Sequence, residues 1–151
     1  MIDTYESVVS RVPFVLRRRV RWADCDPAGV VYTGKFSEYM LGAINFFFAD
    51  LGAGAYMHWI KSLGVDTPCK GMSLEFHGAL WPEDEFEMRC EVTDIRHRSY
   101  DIAVEAAQAD GRRIFRGTFS PICISRDVRT GVEIPPSYRL ALERHSAIRL
   151  N

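Results

Sequence analysis

Two carboxylates, Asp24 and Asp26, flank a thiol in the run Trp22-Ala23-Asp24-Cys25-Asp26-Pro27-Ala28-Gly29-Val30-Val31-Tyr32. Pro27 cannot donate to a strand ladder and Gly29 tolerates positive φ, so the run reads as a turn. The spacing predicts that the chain leaves a strand at Asp26 and enters a helix near Thr33. A first helical turn presents free N–H groups and about half a positive charge, which can polarise a carbonyl oxygen that becomes negative during reaction. A carboxylate beside such donors suits acyl transfer. An Asp at the same place also suits a turn or helix cap, and spacing alone leaves both readings of Asp24 and Asp26 open.

Cys25 would need a base to act as a nucleophile, and sequence does not say whether His58, His77, His97 or His145 lies near it; a small packed thiol is the simpler reading. His58 beside Trp59 and His77 beside Phe76 read as packing or surface groups. Cys25, Cys69, Cys90 and Cys123 show no metal-ligand spacing, so no metal site is expected.

The elements that must position the run are legible on either side. Phe14, Leu16, Val20 and Trp22 recur with a period of two, predicting a strand over 13–22 with one buried face that only Arg18 interrupts. Phe36, Met40, Ile44, Phe47, Phe48 and Leu51 recur at three- and four-residue steps, and Tyr39, Leu41 and Phe46 widen the stripe, as in a helix inside a fold. A short helix over 55–63 ends at Gly64, a residue suited to a C-cap. Phe86, Met88, Cys90 and Val92 alternate with polar residues, Tyr100 to Ala107 gives the next strand, and Asp110-Gly111 signals a two-residue hairpin into a strand over 114–125. A last short helix is expected over about 136–148, after Pro135-Pro136. One early helix and one antiparallel sheet make an α+β chain.

No repeat or linker interrupts the 151 residues, of which 47% are hydrophobic, so one domain over 1–151 with its core at about 14–125 is expected. A net charge of −1 and a pI near 6.4 argue against a general nucleic-acid or anionic-membrane binder. No apolar stretch approaches the roughly 20 residues that span a bilayer, and the start lacks a basic region followed by an apolar one. A cytoplasmic protein with reduced thiols is expected. Arg17-Arg18-Arg19 reads as a solvated edge, because consecutive strand residues point to opposite faces.

Asp24-Cys25-Asp26-Pro27-Ala28-Gly29-Val30-Val31 followed by an aromatic helix resembles the active-site segment of the 4-hydroxybenzoyl-CoA thioesterase family. Asp66-Thr67-Pro68, opening a strand through Met72 to Phe76, resembles that family's second strand, and Asp94 to Tyr100 resembles its basic hairpin. The resemblance spans about 14–125 in the family's order.

It implies the hot-dog fold, an antiparallel sheet wrapped around one long helix, and hydrolysis of an acyl-CoA thioester. Asp26 would be the catalytic carboxylate, as nucleophile through a mixed anhydride or as general base on water. The backbone amide of Thr33 would polarise the carbonyl, and Asp24 would hold the turn. Arg96, Arg98 and Ser99, with Thr67 and Tyr32, would bind substrate, the arginines at the phosphates of coenzyme A. Coenzyme A belongs to the substrate, and no cofactor is implied. A homodimer or homotetramer is implied, with each site built across an interface between copies. Neither nucleic acid nor membrane is an implied partner.

Lys35-Phe36 stands where relatives commonly carry Asn-Tyr, and Leu41 where many carry an acidic residue, so the pocket is less polar. The expected acyl group is therefore aromatic without a required 4-hydroxyl: 4-hydroxybenzoyl, benzoyl, another hydroxylated aroyl, or arylacetyl. The alternatives are a hydrolase of short or medium aliphatic acyl-CoAs and a module that binds acyl-CoA without catalysis.

Overall fold

The computed structural model describes residues 4–146. Alternation decides its strands. In the strand Glu85–Ile95, Phe86, Met88, Cys90 and Val92 are buried and the residues between them reach solvent in part or whole. Numbered in chain order, the elements are β1 (Glu6–Arg11), β2 (Phe14–Arg19), α1 (Lys35–Leu51), α2 (Tyr56–Ser62), β3 (Val65–Asp66), β4 (Cys69–Phe76), β5 (Glu85–Ile95), β6 (Tyr100–Ala107), β7 (Arg113–Pro121), β8 (Ile124–Ser125) and α3 (Pro136–Glu143).

Six strands form an antiparallel sheet in the order β1-β2-β5-β6-β7-β4, and β3 pairs with β8 apart from it. α1 packs on the inner face, burying Phe36, Tyr39, Met40, Ala43, Ile44 and Phe47 against Phe14, Phe86 and Phe115. Gly117 of β7 sits at the crossing, where a Cβ would collide with Met40 Sδ and come within 2.9 Å of the Ser73 carbonyl. A large antiparallel sheet around one long helix is the hot-dog arrangement that the resemblance implies. No single helix among the described residues is long and apolar enough to cross a membrane.

Several expectations change at the edges. β1 follows no clean alternation, with Val8 and Val9 both about two-fifths exposed, and it forms because β2 offers it a free edge. β2 ends at Arg19. Trp22 lies in a short 3-10 turn, Trp22–Asp24, and is 72% exposed, while Asp24 takes the buried place. α1 starts at Lys35, two residues later than expected, with Gly34 as N-cap.

The strand expected from Thr67 onward begins at Cys69, since Pro68 brings no N–H; its carbonyl accepts from Ile122 N at 2.9 Å. The strand expected over 114–125 breaks after Pro121, and β8 turns away to pair with β3. The hairpin at Asp110-Gly111 is a five-residue connection, 108–112, with Gly111 at φ +88°. Arg18 is no solvated residue: its side chain is 12% exposed and ion-paired to Glu6 and Asp24. Of the last helix, α3 covers Pro136–Glu143, and the expected stretch at 147–148 lies outside the described residues.

Candidate active site

The turn between β2 and α1 is built around its two carboxylates, and they end in different surroundings. Asp26 N donates to Val30 O and Gly29 N to Asp26 O, both at 2.9 Å, with Gly29 at φ +87°. Cys25 and Val31 then face each other as an isolated bridge, closing the loop that Pro27 opens. Asp26 Oδ1 accepts from Ala28 N at 2.9 Å. Among the described residues no cation pairs with this half-buried carboxylate, so its second oxygen is left for other chemistry.

Asp24, by contrast, is 4% exposed. Oδ2 accepts from the Tyr39 hydroxyl at 2.7 Å, from Arg21 N at 3.1 Å and from Arg18 Nη2 at 3.4 Å. Lys35 Nζ approaches Oδ1 at 3.7 Å, and the Arg18 guanidinium lies over the Tyr39 ring. Burial works to raise the Asp24 pKa, but these hydrogen bonds and the Arg18 charge outweigh it and hold the carboxyl below its ordinary value. The same burial, with the Asp24 charge, pushes the Tyr39 phenol up. Cys25 is driven up by burial and by the carboxylates of Asp24, Asp26 and Asp84, so it stays a thiol at neutral pH.

Thr33 and Gly34 lead into α1. Among the described residues their amides donate to no protein acceptor, whereas the next two, Lys35 N and Phe36 N, donate to Tyr32 O and Thr33 O. The exposed Tyr32 ring lies over Gly34, where a Cβ would come within 2.8 Å of the Tyr32 hydroxyl. Asp26, Tyr32 and Thr33 thus share one end of the fold, beside Phe76 at the end of β4, whose ring is 5.3 Å from Phe36.

The other expected residues sit at the opposite end of β4. Thr67 hydrogen-bonds Tyr56 and lines a cavity of about 680 Å³ bounded by Phe48 and Ala49 of α1, Met57 and His58 of α2, Pro68 and Arg129. The 96–99 hairpin borders the same end, because Ser99 bridges Ile122, the residue that Pro68 holds. Within it, Arg96 is committed inward, to Asp101 at 2.7 and 3.0 Å, to Asp94 at 2.7 Å and to Ser99 Oγ at 2.9 Å. Ser99 is 5% exposed. Arg98 is exposed and has no ion-pair partner among the described residues, leaving its fork open to a phosphate.

One chain therefore brings together Asp26, Tyr32 and Thr33 at one end, and Thr67, Arg96, Arg98 and Ser99 at the other. Asn45 and His58, which sequence reading did not single out for the pocket, line the cavity. For Asn45 the signal was present, as an amide side chain set in the otherwise largely apolar stretch between Glu38 and Asp50. Among the described residues no His, Cys, Asp and Glu group could hold a metal ion.

The family model described as Thioesterase-like superfamily matches residues 20–142. No curated protein matches the chain significantly. A solved thioesterase superfamily structure from Jannaschia sp. CCS1 is 25% identical with a TM-score of 0.80, over 98% of this chain and 100% of that one. A 1,4-dihydroxy-2-naphthoyl-CoA thioesterase from Synechocystis is similar at 23% identity and a TM-score of 0.75, over 85% and 94% of the two chains. A gentisyl-coenzyme A thioesterase is similar at 22% identity and a TM-score of 0.70, over 85% and 98%.

Proposed function

The chain belongs to the thioesterase-like superfamily, and from that premise we propose that it hydrolyses an aromatic acyl-CoA thioester to the free acid and coenzyme A. The observation that carries this is Asp26: half-buried, aimed by one backbone N–H, paired with no cation among the described residues, and in the same loop as two amides that donate to no acceptor among them. Asp24, two positions away, is by contrast held by the Tyr39 hydroxyl and the Arg18 guanidinium.

In the proposed reaction the Thr33 amide, with Gly34 beside it, donates to the thioester oxygen as it gains charge. Asp26 either attacks the carbonyl carbon, giving a mixed anhydride that water opens, or takes a proton from the attacking water. In both courses the C–S bond breaks and coenzyme A leaves as a thiolate. A thiol has a pKa near 8.5, so this leaving group needs no positioned acid. Water is the only co-reactant.

The acyl group is assigned as an aroyl group, 4-hydroxybenzoyl among the candidates. The aromatic wall of Phe48 and Tyr56 supports that, as do the aroyl-CoA names of two similar structures. Arg98 is assigned to a phosphate of coenzyme A, with Arg96 shaping the hairpin beneath it.

We assign the complete site to two copies. β4 is a sheet edge exposed along nearly its whole length, and a two-fold axis across such an edge pairs it antiparallel with itself. That pairing sets the Phe76 end of one strand against the Cys69 end of the other, bringing Asp26 and Thr33 of one copy toward the cavity of the second.

The test is release of free thiol from aroyl-, arylacetyl- and straight-chain acyl-CoAs by the wild type and Asp26→Asn. Turnover of an aroyl-CoA is expected, with a loss of at least about a hundredfold in the variant, the scale of a positioned acid–base group. Turnover of straight-chain substrates alone would contradict the aromatic assignment, and an active Asp26→Asn protein would contradict the site.

A further inference from the structure

Four hydroxyls connect the interior to the cavity wall through consecutive hydrogen bonds, with Tyr56 and Tyr100 close to each other on either side of Tyr138. Tyr100 of β6, wholly buried, meets the hydroxyl of Tyr138 on α3 at 2.5 Å. Tyr138, also wholly buried, meets Tyr56 of α2 at 2.9 Å. Tyr56 meets Thr67 Oγ1, and both of these residues line the cavity. Ring contacts fix the line in place: Tyr56 stacks on Phe48 at 4.7 Å and Tyr138 on Trp59 at 5.2 Å.

Each hydroxyl carries one proton to donate. Three contacts join the four groups, so one proton is left over, and its position depends on the direction of the line. If Thr67 donated inward, each proton would point one step deeper, and among the described residues the Tyr100 O–H would keep only the poorly placed Tyr56 oxygen in place of a well-formed acceptor. A buried donor left unpaired loses its hydration with nothing in return. In the other direction Tyr100 donates to Tyr138, Tyr138 to Tyr56 and Tyr56 to Thr67, and every buried proton is used. The remaining proton is that of Thr67, at the cavity wall. Burial raises the pKa of all three phenols, so the line stays protonated at neutral pH.

We propose that the tyrosine line fixes Thr67 as a hydrogen-bond donor to the cavity, which thereby selects an acyl group bearing an acceptor oxygen on its ring over one bearing carbon at that place. The inference rests on the thioesterase reading for the identity of the occupant. Phe48, Ala49, Met57, Ile60 and Pro68 supply apolar surface beside Thr67, while Asn45, His58 and Arg129 add other polar groups to the wall; the Thr67 donor is therefore read as the difference between wild type and Thr67→Val, because a carbon isostere leaves that donor unpaired. Tyr56, Tyr138 and Tyr100 are positioning residues.

The experiment compares methoxybenzoyl-CoA with ethylbenzoyl-CoA at the 2-, 3- and 4-positions, pairs that differ by one oxygen for one methylene. Binding is measured calorimetrically on the Asp26→Asn background, and thiol release on the wild type. At one ring position the ether is expected to bind about fivefold more tightly, the worth of one neutral hydrogen bond. Thr67→Val removes this preference and Thr67→Ser keeps it.

Tyr100→Phe also keeps it, because Tyr138 becomes the buried end and still donates outward, whereas Tyr56→Phe loses most of it. A merely structural cluster would lower thermal stability in both tyrosine variants and leave the ether preference alone. An ether preference unchanged in Thr67→Val, or absent at every position, overturns the inference. Thiol release with no preference leaves the thioesterase reading standing alone, and preference without thiol release does the reverse. No acyl-CoA binding at all overturns both.

Discussion

Asp24 and Asp26 are two positions apart with the same functional group, and their neighbours divide the work between them. Asp24 is a buried ion held by Tyr39, Arg21 N and Arg18, so Asp24→Asn is expected to cost about 2 kcal/mol of stability at neutral pH, the scale of a charge-assisted hydrogen bond. Its folded pKa lies below the ordinary 3.8. The stability it supplies is therefore complete above that value and is lost as pH falls through the lower folded value. Urea unfolding from pH 7 to pH 3 should show the gap between wild type and variant narrowing only below about pH 4; a gap that does not change with pH would mean the carboxylate's charge is not what stabilises it. The importance of the Asp26 segment was legible because a turn's chemistry is local. The burial of Arg18 was not, because its partner Glu6 comes from β1, a strand with no clear pattern of its own. Nor was the exposure of Trp22, since a period-two reading cannot see that the chain turns at Arg19.

At the level of elements, the crossing of α1 over the sheet depends on Gly117. Gly117→Ala should destabilise the fold by about 1–3 kcal/mol, as overpacking does. Met40→Ala in the same chain should recover part of that loss, a non-additivity that thermal melts of the two single variants and the double variant would show. If the two costs simply add, the helix and strand do not meet at this glycine. Long elements with strict periods, α1 and β5 above all, were legible in the sequence. The breaks were not: β3 and β8 leave their expected strands at Pro68 and Pro121 because they pair with each other, which only tertiary structure decides. The tyrosine line was likewise invisible, since its residues lie on three elements and as many as 82 positions apart.

For the whole molecule, the residues assigned to the proposed reaction lie at both ends of an exposed edge strand, and the proposed second copy is what would bring them together. Met72 is 49% exposed on β4, and Met72→Lys, which places a charge on the edge, should yield monomers in sedimentation and abolish thiol release; an active monomer would contradict the two-copy site. The most direct measurement is complementation. Asp26→Asn chains lack the carboxylate but keep an open cavity, while Ala49→Trp chains keep Asp26 and have the cavity filled. Each variant alone should release no thiol from an aroyl-CoA. Mixed by denaturation and joint refolding, they should regain activity, because half of the sites in mixed dimers combine an intact Asp26 with an open cavity from the other chain. Mixed dimers that form and stay inactive would contradict an Asp26-dependent thioesterase site shared between copies.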